Sequence, residues 1–357
     1  MKTILINGIT LAKKEIYGVQ RTTTELLCEL DRFIEPGRVK LVIPEKGERS
    51  FAFENIELLR VPVDCDSRQA MREWNFHGFN ATVRRERAIG ADTILGVPLG
   101  GCALVAVYDC TTEICVQNAD TLRRKIGRRL YMLRVKDCLK KARVVMTDSE
   151  SAKADIMRYY GIDGGKIRVV TCAWQHFARV SEDAAVLERL GLREKGFFFA
   201  LGSRYYHKNH RWVVAAARQN PDKMFVVSGG GSVASAADEA VPDNLIYAGY
   251  LSDGEVKALM RRCIAFLQPS LYEGFGIPPM EAMSAGARCI VSDIPALREI
   301  YGDSVWYIDP RQYEGIDFDA IMSKPIADNQ KVLDAYSWEK SARRFKELLD
   351  LLQKESC

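Results

Sequence analysis

Short apolar runs alternate with amphipathic stretches along most of the chain. KTILING (2–8), VKLVIPE (39–45), IELLRVP (56–62), DTILGVP (92–98), LVAVYD (104–109), RVVMTDS (143–149) and IRVVTC (167–172) read as strands. So do FFFALGS (197–203), MFVVSGG (224–230), NLIYAGY (244–250), CIAFLQPS (263–270), RCIVSD (288–293) and VWYIDP (305–310). Most are near-continuous Val/Ile/Leu/Phe, as strands buried on both faces of a parallel sheet require. Between them the spacing predicts helices over 18–33, 121–142, 150–160, 208–219, 253–262, 279–285 and 338–354. Alternation of this kind implies doubly wound parallel α/β sheets. Each half of the chain has strands enough for its own sheet, with a boundary near 173–180. Two such sheets are expected to place their strand carboxyl ends at a central cleft, where ligands of open α/β sheets bind.

Composition narrows the class. The 357 residues are 47% hydrophobic and 27% charged, which excludes a disordered chain, a collagen or a rod. No run approaches the ~18 apolar residues of a membrane span, and MKTILINGITLAKKE lacks the apolar core and cleavage site of a secretory signal. Ten scattered cysteines without a C-x-x-C pair fit a reducing cytoplasm, and with four histidines no zinc site is expected. D-x-D at Asp64/Asp66 and Asp317/Asp319 supports no metal site.

The net charge of +4 hides a polarity. Residues 1–175 hold 29 Lys+Arg against 22 Asp+Glu, a net of +7; residues 176–357 hold 22 against 25, a net of −3. Ten basic residues and one acid, Asp137, lie between Thr121 and Arg143. In that segment Leu122, Ile126, Leu130 and Leu133 share one helical stripe, read as continuing through Cys138, Leu139 and Ala142. It is either a helix packed on the sheet with a solvated basic face or a surface drawn to anionic lipid. No recognition module accompanies it for nucleic acid.

The candidate chemistry sits in loops after strands. In LQPSLYEGFGIPPMEAMSAG (267–286), glycines allow close ligand approach, and Pro278 and Pro279 suit a first helical turn. The helix start favours an anion such as a phosphate. Glu273 and Glu281, the latter expected in the first turn, could accept bonds from paired sugar or ribose hydroxyls. In FFFALGSRYYHKNH, Arg204 and Lys208 stand at a helix N-terminus, a conflict that a diphosphate between them resolves. His207 and His210 read as packing or surface residues. Gly18 sits before a helix in a third loop, a candidate for anion approach or a plain helix start. Asp109, at the end of VAVYD, could bind an acceptor hydroxyl, move a proton or simply cap a helix. No G-x-G-x-x-G, Walker loop or G-x-S-x-G elbow is present.

EGFGIPPME with its E-x7-E spacing resembles the retaining glycosyltransferases of family 4. Other landmarks in matching order are NGITLAKKEIYGVQR, TDSESAKADIMRYYGIDGGKIRVV, LGSRYYHKN, VSDIPALREIYGDSVWYIDP and YSWEKSARRFKELL. The resemblance implies a GT-B fold: an acceptor-side Rossmann-like domain over 1–175, a nucleotide-sugar domain over 176–335, and a helix over 336–357 that crosses back to the first. It implies that Arg204 and Lys208 bind the donor diphosphate, Glu281 the ribose and Glu273 the sugar. Backbone N–H groups of Gly274, Phe275 and Gly276 would assist, and Gly249 and Tyr250 would lie near the base. Tyr108 stands where many members have His before the acid that Asp109 matches. The implied activity is metal-independent transfer, with no cofactor, from a nucleoside-diphosphate sugar to a saccharide acceptor. That acceptor is expected to be lipid-linked, in O-antigen or capsule synthesis, with the enzyme cytoplasmic or peripheral on the inner membrane face. Another GT-B reaction, an epimerase or a phosphorylase, and a non-catalytic nucleotide-sugar-binding subunit are the alternatives.

Overall fold

The computed structural model describes residues 2–14, 18–116, 121–202, 205–229 and 241–354. Two compact units divide the chain. Met1–Glu113, Ala119–Cys172 and Trp338–Cys357 form the first, and Ile114–Asn118 and Ala173–Ser337 the second.

The first unit is built on β1 (Ile4–Asn7), β2 (Val39–Pro44), β3 (Glu57–Val61), β4 (Ile89–Asp92), β5 (Leu104–Ala106), β6 (Val144–Thr147) and β7 (Ile167–Val169). These pair in the order β3-β2-β1-β4-β5-β6-β7, and every pairing is parallel. The second unit has β8 (Phe197–Leu201), β9 (Met224–Ser228), β10 (Leu245–Gly249), β11 (Phe266–Gln268), β12 (Cys289–Ser292) and β13 (Trp306–Ile308), in the order β10-β9-β8-β11-β12-β13, again all parallel. In each sheet the order reverses once, between β1 and β4 and between β8 and β11. Such reversals open a crevice at the strand carboxyl ends.

One strand is displaced from its expected place. β4 is IGAD, not DTILGVP. Asp92 ends the strand fully buried, accepting bonds from Val97 N–H at 2.7 Å and Asn7 Nδ2 at 3.1 Å. That carboxylate turns the chain back, and Leu95 (φ 57°) and Val97 (φ 48°) adopt left-handed backbone that no strand allows. Burial pushes the Asp92 carboxyl up, against the opposing effect of these bonds.

Six helices matter to the site and surfaces: α1 (Gly18–Leu30), α2 (Leu122–Lys141), α3 (Gln175–Ala178), α4 (His210–Gln219), α5 (Ile277–Ser284) and α6 (Trp338–Lys354). The last helix belongs to the first unit, as a crossing-back helix should. Its buried face starts at Trp338 and repeats at helical spacing, and Ala342, Phe345, Leu348, Leu349 and Leu352 join the core that holds Leu26, Leu27 and Leu30 of α1. Gln353 bonds the Lys2 carbonyl at 2.8 Å and receives Arg38 Nε at 2.8 Å.

α2 departs from the single stripe expected. Val135, Cys138 and Leu139 are buried, whereas Leu122 (75% exposed), Ile126 (54%), Leu130 (62%) and Leu133 (59%) face solvent. At 3.6 residues per turn the four apolar residues span an arc of about 80°, with Cys138 and Leu139 on the other side. The helix therefore carries two apolar faces, one packed inward and one outward.

Candidate functional site

The second sheet's reversal point brings two loops together. After β8, Gly202 donates its N–H to Ser228 O at 2.7 Å. A Cβ on Gly202 would stand 2.5 Å from that oxygen and 2.5 Å from His210 Nε2, so only glycine lets the strand end this close to its neighbours. A tight turn over Tyr206–Lys208 follows, and Asn209 takes left-handed backbone (φ 56°) before α4. Asn is among the few residues that accept this conformation. Its buried side chain donates to Pro269 O and Pro310 O, both at 2.8 Å, and accepts from the Tyr313 hydroxyl at 3.0 Å. These bonds set where Lys208 points. Ser203 and Arg204 lie outside the described residues, so the expected Arg204 contact does too.

From the other side, β11 delivers Gln268 and then the 269–276 loop. Lys208 Nζ donates to both oxygens of Glu273, at 2.8 and 3.1 Å. Gln268 Nε2 donates to Glu273 Oε1 at 2.6 Å and to Ser270 Oγ at 3.1 Å. The Glu273 side chain is 10% exposed and that of Lys208 24%. Burial alone would push the Glu273 carboxyl up; the Lys208 ammonium, with the Ser270 hydroxyl and His207, outweighs it and holds the carboxyl below its usual range. Two groups separately expected to meet a donor's sugar and its diphosphate thus form one ion pair, with the ammonium as its wetter end.

Gly276 (φ 87°) turns the loop into α5, and a Cβ there would meet Leu297 Cδ2 at 2.5 Å. Gly274, Phe275 and Gly276 are all buried in this turn, with the Phe275 ring edge-on to Tyr336. The helix begins at Ile277, two residues before its expected start, because both prolines fit a first turn whose N–H groups bond nothing within the helix. Glu281 is therefore beyond the first turn, correcting its expected position. It is buried, and His176 Nε2–H donates to its Oε1 at 2.8 Å.

The other candidates differ in kind. Gly249 ends β10 in left-handed backbone (φ 69°), accepting Gly229 N–H at 2.7 Å, and Tyr250 beyond it is 84% exposed. Gly18 opens α1, and a Cβ there would meet nothing within 4 Å, so packing does not ask for glycine. Asp109 is half-buried and accepts Thr111 N–H at 2.7 Å, an Asx turn. Tyr108 is buried, its hydroxyl donates to Thr93 O at 2.9 Å, and burial pushes the phenol far above its ordinary value. A phenol so held does not exchange protons as a histidine would. Asp109 and Gly18 belong to the first unit; Lys208, Gly249, Tyr250, Glu273 and Glu281 belong to the second. Among the described residues, no three His, Cys, Asp or Glu side chains stand together as a metal site would need.

Asn209, Gln268 and His176 were not singled out by sequence. Asn209 carried a signal, a helix-entry Asn beside the candidate lysine. His176, 105 residues from Glu281, carried none.

Residues 187–351 match the model of a family described as Glycosyl transferases group 1. The O-antigen chain mannosyltransferase RfbU of Salmonella typhimurium is 28% identical over 183 residues, 49% of this chain and 49% of that protein. O-antigen chain mannosyltransferase B of Escherichia coli is 25% identical over 225 residues, 57% of this chain and 59% of that protein. The chain thus spans about half the length of the curated relatives it matches. The solved sucrose-phosphate synthase (tll1590) from Thermosynechococcus elongatus superposes with a TM-score of 0.74 over 99% of this chain and 100% of that one, at 15% identity. The shared architecture is the GT-B fold: two parallel-sheet α/β domains, with the last helix returned to the first.

Proposed function

We propose that this chain, whose residues 187–351 match the Glycosyl transferases group 1 model, is a glycosyltransferase of bacterial surface polysaccharide synthesis. It moves a sugar from a nucleoside-diphosphate sugar to a saccharide acceptor, with retention and without a metal. The observation that carries the reading is the Lys208–Glu273 pair at the β8/β11 reversal, beside the start of α5. The relatives' names make mannose the first sugar to test.

In the proposed reaction the bond from the sugar C1 to the diphosphate oxygen breaks, and its electron pair goes to the diphosphate. The acceptor hydroxyl oxygen bonds C1 on the same face, and its proton passes to the departing phosphate oxygen. Negative charge grows on that phosphate, where the Lys208 ammonium and the α5 N-terminus oppose it; by resemblance Arg204 does so too. Glu273 holds the ammonium in place and offers its carboxylate to sugar hydroxyls. Glu281 accepts from the ribose. The test is product detection by mass spectrometry over a panel of nucleotide sugars, mannosyl donors first, with and without EDTA. Transfer unaffected by EDTA, with the anomeric configuration kept, is expected. Folded protein that neither transfers nor hydrolyses any donor overturns the reading.

A lipid-linked acceptor suits the outward face of α2. Its apolar stripe is flanked by Arg129, Lys136 and Lys140 on one side and by Arg123 and Lys141 on the other, an arrangement that fits an anionic bilayer surface. Cosedimentation with phosphatidylglycerol vesicles is expected to exceed that with phosphatidylcholine by roughly tenfold or more, each cation near the surface contributing about 1 kcal/mol. Replacing Leu122, Ile126 and Leu130 together with serine should abolish most of it and leave the melting temperature unchanged, because all three are exposed. Equal binding of both lipids, or undiminished binding by the triple variant, excludes this surface.

A further inference from the structure

We propose that His176 is a positioning residue for Glu281, aiming its carboxylate at the paired hydroxyls of a donor ribose. The inference rests on the reading of Glu281 as the ribose acceptor. The two side chains are 5% and 9% exposed, and the His176 Nε2–H reaches Oε1 at 2.8 Å. A glutamate on a helix has three torsions to settle, and a fixed donor settles them before the ligand arrives. An ionised carboxylate accepts at about four lone-pair positions, more than the bond from His176 takes up.

The imidazole itself stands on a braced platform. It lies on the single-turn α3. Trp174 Nε1 ties the entry of that turn to Leu333 O at 3.0 Å, and Gln175 Nε2 ties it to Tyr336 O at 3.1 Å. At its exit, Lys257 Nζ gathers the carbonyls of Phe177 (3.0 Å), Ala178 (3.0 Å) and Val180 (2.7 Å). A cation at the carbonyl end of so short a turn satisfies groups that have no helical partner. Five bonds from three side chains thus hold a four-residue turn that presents one imidazole to one carboxylate. A histidine needed only to fill space would not require that bracing, and one needed only to satisfy a buried charge would leave ligand selectivity untouched.

Selectivity therefore provides the test. Calorimetry compares GDP with 2′,3′-dideoxy-GDP, and UDP with 2′,3′-dideoxy-UDP, on the full chain. The wild type is expected to prefer the ribose form by about tenfold or more, since bonds to a charged group are the strong ones. Glu281→Ala should bring that preference close to unity. His176→Phe, which keeps the ring and loses the donor, should lower it severalfold towards the Glu281→Ala value. His176→Gln, whose amide reaches as far as Nε2, should keep most of it, whereas His176→Asn, whose amide stops short, should not. If Glu281→Ala leaves the preference intact, or the wild type shows none, the ribose reading fails and this inference with it. If Glu281→Ala loses the preference while His176→Phe retains it, the inference alone is overturned. Should the Phe variant not fold, equal preferences for the Gln and Asn variants overturn it in the same way.

Discussion

Lys208→Ala is expected to lower turnover by roughly 10²–10³-fold, the usual loss when one preorganised charge opposite a developing anion is removed. The Michaelis constant for the donor should rise far less, because the charge on the leaving phosphate is greatest in the transition state. Lys208→Arg, which keeps the charge but spreads it over a planar fork in place of a compact ammonium, should recover only part of the rate. A wild-type turnover number for Lys208→Ala eliminates the site assignment. The variant also has a thermal and pH signature. With the ammonium present, Glu273 sits below its ordinary value, so the pair stabilises the fold above about pH 4.5, the ordinary carboxyl value, and that stabilisation is lost as pH falls through the lowered one. Without the ammonium, burial is the larger influence and pushes Glu273 up. The sign then reverses: the variant is penalised at neutral pH and regains stability as the carboxyl protonates. Urea unfolding should show a gap of about 2 kcal/mol at pH 7, less than for a fully buried pair because Lys208 keeps a quarter of its side chain in water. The gap should narrow towards pH 4.

The meeting of Lys208 with Glu273 shows what a sequence can and cannot announce. Each residue was legible in its own loop, because a glycine-bearing turn after a parallel strand has few uses other than ligand approach. Their contact was not, since it depends on β8 and β11 lying side by side at the reversal of strand order. Apolar runs located twelve of the thirteen strands, and β4 failed for a definite reason. ILGVP is as apolar as any strand, but the Asp92 side chain captures Val97 N–H and closes a buried turn, a tertiary bond that no periodicity reveals. On α2 the leucine spacing was legible and its direction was not. Helical period fixes which residues share a face, whereas only packing decides which face is covered, and here the covered face is that of Val135, Cys138 and Leu139. Asp109 was read with three roles open, and its carboxylate accepts the Thr111 N–H two residues on.

Asn209→Ala is expected to cost about 3 kcal/mol, roughly one for each of the three buried hydrogen bonds that its side chain makes. A further ~1 kcal/mol comes from placing alanine at a φ of 56°. For a unit of this size each kcal/mol shifts the midpoint by about 2–4 °C, so melting should fall by roughly 8–16 °C. Asn209→Gly separates the two contributions. It accepts the left-handed backbone but supplies no amide, and should recover no more than the backbone share. Asn209→Asp keeps an acceptor for Tyr313 but turns both donations to Pro269 O and Pro310 O into repulsions at a buried position, and should be the least stable of the three. Turnover follows from the same geometry. The amide anchors the residue after Lys208, and releasing it lets the ammonium wander from the place where phosphate charge grows. Turnover of Asn209→Ala should therefore fall about tenfold at a temperature where the protein is still folded, since small misplacement of a preorganised group is costly. Full recovery of melting by Asn209→Gly would assign the cost to backbone strain alone and free Lys208 from this anchor.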